Sequence, residues 1–219
     1  MPARIFVLAG VNGAGKSSVG GAALLQKKVD YFNPDLAARE LREADPSLSS
    51  EAANAQAWEL GRQGLERALA QQLNFAFETT LGARTITQML LEGAEQGAQV
   101  HLWYAGLASP ELHLQRVRAR VAAGGHDIPE AKIRERYETS RANLIRLLPH
   151  LASLRVYDNS AKGDPKAGQR PQPLLLLHME GGRVVSHIAL GQVPQWAKPI
   201  MAVALAGQKK PSARLGGKR

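Results

Sequence analysis

At 219 residues the chain can build one sizeable core, and at about 100 to 200 residues per domain it leaves little room for a second. Its 44% hydrophobic and 21% charged residues exclude a fibrous or wholly disordered chain, and the lack of cysteine excludes disulfides, thiolate metal sites and a thiol nucleophile. The 28 Lys and Arg against 19 Asp and Glu give a formal charge of +9, which favours anionic partners such as nucleotides, phosphosugars or nucleic acid.

The first predicted element is a buried parallel strand over Ile5–Ala9, a continuous apolar run bounded by turn residues. The run is far too short to cross a membrane and leads straight into a Gly-rich loop, which argues against a signal peptide and for a cytoplasmic protein. A helix follows over Lys16–Gln26, then a short strand over Val29–Phe32 and a helix over Asp35–Ala44. Ser49–Gln72 reads as a long helix in which Gly61 and Gly64 each cost about 1 kcal/mol relative to Ala and point to a close backbone approach. Asn74–Glu78 is a third strand, Arg84–Gln96 a helix and Val100–Ala105 a fourth strand. Pro110 opens a helix to Ala123, Pro129 opens another to Leu148, and Leu154–Tyr157 is the fifth strand. Strands alternating with helices predict a doubly wound α/β fold, a parallel sheet with flanking helices. After Asp158 the composition turns to Gly, Pro and Lys, a surface loop, and beyond it lie a hairpin around Gly181 and Gly182 and a helix over Pro194–Leu205. Residues 1–206 form the expected domain. Residues 207–219, with Lys209, Lys210, Arg214, Lys218, Arg219 and no acid, read as a basic, disordered tail.

The loop from Gly10 to Ser17, GVNGAGKS, matches G-x-x-x-x-G-K-[S/T] between an apolar strand and a run of helix formers, the setting of a P-loop NTPase. Gly13 and Gly15 let the backbone turn so that its N–H groups meet phosphate oxygens, and the start of the following helix adds positive potential. The nucleotide would lie against Gly10, Asn12, Gly13, Ala14, Gly15, Lys16, Ser17 and Ser18, with Lys16 at the terminal phosphates and Ser17 on Mg²⁺. Transporter ATPases share such a loop but need an LSGGQ-type signature and a strand ending in adjacent acids, and neither occurs. The small size and a start directly at the first strand suit a small-molecule kinase.

In an open α/β sheet ligands sit beyond the carboxyl ends of the strands, where Asp35 and Glu78 fall. A kinase needs a carboxylate that orients the acceptor hydroxyl and takes its proton, worth about 10² to 10⁴ in rate. Asp35 is the candidate base; equally, Asn33 could cap the next helix with Pro34 first in it and Asp35 complementing its dipole. Glu78, at the end of an apolar strand, would be costly there without a partner and suits Mg²⁺ or a substrate hydroxyl. Thr79, Thr80 and Arg84 could line the acceptor pocket. Arg116 and Arg120 share a helix face, and GGHD makes a turn before Arg134 and Arg136, which together could form a cationic lid over the moving phosphoryl group. Glu130, Arg134 and Glu138 are also spaced as ordinary surface ion pairs. Among the six histidines only His126, in that turn, has a functional case, and no metal-ligand spacing or Gly-x-Ser-x-Gly elbow occurs.

Taken together, GVNGAGKSS, YFNPD, FAFETT, RVRARVAAGGHDIPEAKIRERY and RVYDNS resemble the zeta toxin family of P-loop kinases over roughly residues 5–160. The resemblance implies phosphorylation of a small acceptor at the expense of ATP or GTP with Mg²⁺; the family's toxins phosphorylate a sugar hydroxyl of UDP-N-acetylglucosamine. It implies that Lys16 contacts phosphates, that Asp35 matches the catalytic aspartate, that Glu78 and Thr80 match acceptor-binding positions and that Arg120 and Arg134 match two lid arginines. Thr79 stands where the strict toxins have Gly, Arg84 comes later than their Arg, and Glu59 and Glu66 both fit the family's other helix acid. A toxin would also need a partner that blocks the nucleotide site, an antitoxin. The competing class is a nucleotide-switched nucleic-acid binder, suggested by the basic surface and tail; it would show a steep salt dependence but lacks aromatics among its basic residues.

Overall fold

The apolar run that opens the chain becomes β1 (Arg4–Ala9), with Ile5, Val7 and Ala9 buried on one face and Phe6 and Leu8 on the other. A strand buried on both faces belongs in the middle of a parallel sheet, and that is where it lies in the computed structural model, which describes residues 1–25, 31–125, 127–161 and 172–207. Its companions are β2 (Tyr31–Phe32), β3 (Phe75–Thr79), β4 (Gln99–Gly106), β5 (Ser153–Asp158), β6 (Leu174–Glu180) and β7 (Arg183–His187). The order is β2-β3-β1-β4-β5-β6-β7, with the first five strands parallel and β6 and β7 antiparallel. The chain leaves β1 for the far edge, returns through β3, and crosses to β4 on the other side. The loop after β1 therefore opens at the topological switch point, where α/β sheets bind ligands. The parallel sheet with a C-terminal hairpin is as expected.

The helices are α1 (Lys16–Leu25), α2 (Pro34–Ala44), α3 (Ser50–Ala70), α4 (Arg84–Glu95), α5 (Pro110–Ala122), α6 (Glu130–Leu147) and α7 (Lys198–Ala206). Their starts follow local chemistry. Asn33, Ser49 and Ser109 each accept main-chain N–H groups of the first turn, and Pro34 and Pro110 sit where no N–H is needed. The last helix begins later than Pro194: a 3₁₀ turn at Gln195–Ala197 comes first, because Pro199 lacks an N–H and fits only the first turn of α7. The main core joins one face of the sheet to α3, α4, α6 and α7, whereas Phe6, Leu8 and Trp103 on the other face meet Val19 of α1.

Gly61 and Gly64 do mark a close approach. A Cβ at Gly61 would fall 2.7 Å from the Phe32 ring and one at Gly64 2.9 Å from the Phe75 ring, so α3 lies directly on the aromatics of β2 and β3. At the other end of the sheet the Trp196 ring occupies the space a side chain at Gly106 would need, 2.3 Å from its Cβ position, and Arg141 donates to the Trp196 carbonyl at 3.4 Å. The C-terminal segment thus docks at the carboxyl end of β4. Val29 and Asp30 of the expected second strand, His126, most of the Gly-, Pro- and Lys-rich segment, and residues 208–219 of the basic tail lie outside the described residues.

Candidate functional site

Between β1 and α1 the backbone makes the turn its glycines predict, with Gly13 at φ +81° and Gly15 at φ +75°, left-handed values that disfavour any side chain. Gly10 donates to the Thr79 carbonyl at 3.2 Å, and Ala14 donates to the Val11 carbonyl at 3.0 Å. Lys16 Nζ folds back to the Gly10 carbonyl at 3.2 Å and lies 3.9 Å from the Glu78 carboxylate. Burial pulls the Lys16 ammonium below its ordinary value against the attraction of Glu78 and Asp35, with Arg120 and Arg136 adding to the fall. Ser17 and Ser18 are exposed in the first turn of α1.

Glu78, at the end of β3, is met by three donors: the Tyr31 hydroxyl, Asn33 Nδ2 at 3.3 Å, and Lys16. These offset the cost of its burial. Burial and the carboxylate push the Tyr31 phenol far up, which keeps it a donor. Asn33 both caps α2 and reaches Glu78, so the capping role predicted for it leaves Asp35 free to face the cleft. There the Asp35 carboxylate lies 3.5 Å from Arg120, linking α2 to α5 across the mouth of the cradle. Behind Glu78 the chain turns through Leu81 at φ +55°, strained for a branched residue, and α6 holds the turn: Ser140 donates to the Thr80 carbonyl at 2.7 Å and Asn143 to the Leu81 carbonyl at 2.8 Å. Thr80 is thereby fixed beside Glu78, while Arg84 is exposed at the start of α4.

The arginines divide. Arg136 donates to the Asn12 side chain at 2.8 Å, and Arg116 to the Asn159 carbonyl at 2.7 Å, both against the cradle. Arg134 points away and bonds Glu111 and Glu130, each at 2.8 Å, on the surface of the α5–α6 hairpin. Its spacing from Glu130 on the helix was legible, as was its surface-pair alternative; that Arg136 rather than Arg134 reaches the loop depends on how α6 is rotated. A cavity of about 530 Å³ opens between α2, α3 and the turn after α5, with Asp35, Arg120, Asn33, Arg39, Arg42 and Asn54 in its wall.

The family model described as Zeta toxin matches residues 2–163, from β1 through this whole arrangement. The chain belongs to the zeta toxin family. An uncharacterized protein of Haemophilus influenzae is 32% identical over 138 residues, 63% of this chain and 94% of that protein. The crystal structure of AvrRxo1-ORF1:-ORF2 with ATP is similar at TM-score 0.65 and 17% identity, over 99% of this chain and 68% of that one. The PezAT toxin-antitoxin system of Streptococcus pneumoniae is similar at TM-score 0.53 and 15% identity, over 94% of this chain and 86% of that one. Those two likenesses concern the fold. Within this zeta toxin fold, Tyr31, His113, Ser140, Asn143 and Asn159 hold the site without any signal of it in the local sequence. Each acts through a partner distant in sequence, as His113 does with Asn12 across 101 positions, and no local spacing signals such a contact.

Proposed function

We propose that the protein is a Mg²⁺-dependent kinase that moves the γ-phosphoryl group of ATP or GTP onto a hydroxyl of a nucleotide sugar such as UDP-N-acetylglucosamine. The observation that carries this reading is the meeting of Asp35 with Arg120 at the mouth of the cradle, in the wall of the large cavity. Phosphoryl transfer is mainly positioning and charge stabilisation, and it needs an anion holder, cations and an acceptor-side carboxylate together. Lys16 and the loop amides hold the phosphates, and Arg120 and Arg136 neutralise charge on the moving group. Asp35, released when the phosphates draw Arg120 away, orients the acceptor hydroxyl and takes its proton as the new O–P bond forms and the nucleoside diphosphate leaves. Glu78, Thr80 and Arg84 serve the acceptor side. The exposed Ser17 hydroxyl in the first turn of α1 suits Mg²⁺, which when bound supplies further charge neutralisation on the phosphates.

Family membership also supports a toxin restrained by an antitoxin that covers the cradle, and rescue of growth by a co-expressed neighbouring gene would test that part. For the chemistry, ATP consumption should depend on acceptor across a panel of UDP-sugars. Asp35→Ala should keep nucleotide binding and lose about 10² or more of the turnover. Wild-type turnover in that variant would remove Asp35 from the mechanism, and intact ATP binding with no acceptor-dependent turnover would remove the acceptor assignment.

A further inference from the structure

The glycines of the loop allow its amides to turn towards phosphate but do not by themselves hold them there. His113 on α5 is 1% exposed, and its Nδ1 lies 2.8 Å from the Asn12 carbonyl oxygen. A carbonyl only accepts, so Nδ1 carries the proton. Asn159, just beyond β5 and 5% exposed, donates from Nδ2 to the Ala14 carbonyl at 2.8 Å. A trans peptide holds its C=O and the following N–H antiparallel in one plane, and no cis bond occurs among the described residues. Tying back the Asn12 and Ala14 carbonyls therefore turns the Gly13 and Gly15 N–H groups away from α5 and β5, into the orientation a loop needs to present amides to phosphate.

We propose that His113 and Asn159 are positioning residues that aim the Gly13 and Gly15 amides at the phosphates of the bound nucleotide. The close contacts agree: a Cβ at Gly13 would fall 2.9 Å from the His113 carbonyl, and one at Gly15 2.3 Å from Asn159 Nδ2. The two glycines are thus the positions at which the anchors crowd the loop. His113 is also wedged edge-on against Tyr137 of α6, ring centroids 5.7 Å apart, so the loop, α5 and α6 share one contact. The groups facing the imidazole are cationic: Arg116 on its own helix, Lys16 from the loop and Arg141 from α6. With burial as the larger cause they bring its pKa down to about 4. The ring therefore anchors the loop as a neutral donor and adds no further charge to the cradle.

The proposal rests on the nucleotide-binding half of the proposed function and is tested by binding, independently of any acceptor. Titration calorimetry of the full chain with Mg·ADP compares wild type with His113→Leu, His113→Asn and Asn159→Ala. Loss of one anchor should weaken binding by about threefold to tenfold, the worth of one net hydrogen bond. His113→Asn, whose amide can place an N–H near the Nδ1 position, should recover most of what His113→Leu loses. Equal loss in both His113 variants, or no loss in any of the three, would overturn the proposal. A wild type that binds no Mg·ADP would overturn the nucleotide reading as well. Nitrogen NMR of the wild-type chain labelled at histidine needs no variant to fold. It should show a neutral Nδ1–H tautomer for His113 that shifts on adding Mg·ADP; an Nε2–H tautomer or an unmoved signal would contradict the assignment.

Discussion

At the scale of single residues, the arginines of the α5–α6 hairpin carry the most discriminating expectations. Arg134 is held by Glu111 and Glu130 at the surface, whereas Arg120 and Arg136 reach Asp35 and Asn12 beside Lys16. Arg120→Ala or Arg136→Ala should lower kcat by about 10² or more, while Arg134→Ala should stay within about threefold of wild type, as exposed pairs usually do. Steady-state kinetics with a saturating acceptor would decide it. His113 gives a pH signature in stability. Its pKa of about 4 in the fold lies below the ordinary 6.5, so the unfolded chain binds the proton first. Its contribution is complete above pH 6.5 and is lost progressively as pH falls towards 4, on the order of 3 kcal/mol in all. Urea melts of wild type and His113→Leu between pH 7 and 4.5 should show a steeper decline in wild type. The P-loop, Asp35 and Glu78 were legible because strand, turn and helix signals put them at strand ends. Tyr31 on Glu78 and Asn159 on Ala14 were not, because those contacts are made by strand order and packing.

At the scale of elements, the sequence named nearly every helix and strand, since apolar runs, proline starts and N-cap residues are local signals. What it could not supply was the rotation of α6, which selects Arg136 over Arg134, or the 3₁₀ turn that delays α7. The α3 glycines bridge the two levels. Gly61→Ala should gain about 1 kcal/mol of helix propensity but lose about 1 to 3 kcal/mol to overpacking, since the new methyl group would meet the Phe32 ring at 2.7 Å. A net loss of stability is expected in thermal or urea unfolding, and a clear gain would show that α3 can retreat from β2 without cost.

At the scale of the whole molecule, the family match ends at residue 163, yet β6, β7 and α7 complete the sheet and core, and Trp196 seats against Gly106 at the cradle end of β4. No helix among the described residues is long and apolar enough to cross a membrane. The formal charge of +9 keeps a nucleic-acid-binding alternative in view, and deletion of residues 207–219 separates the two functions. A small-molecule kinase should retain its turnover without those residues, whereas a tail-driven binder should lose its salt-sensitive affinity for nucleic acid. The step on which the proposed function depends is the phosphoryl transfer itself. It is tested most directly by incubating the full chain with Mg·ATP and UDP-N-acetylglucosamine and resolving the products by mass spectrometry. The expected product is a nucleotide sugar heavier by one phosphoryl group, formed with ADP in equal amounts and absent with Asp35→Ala. ADP formed at the same rate with and without the sugar, and no phosphorylated sugar, would contradict it.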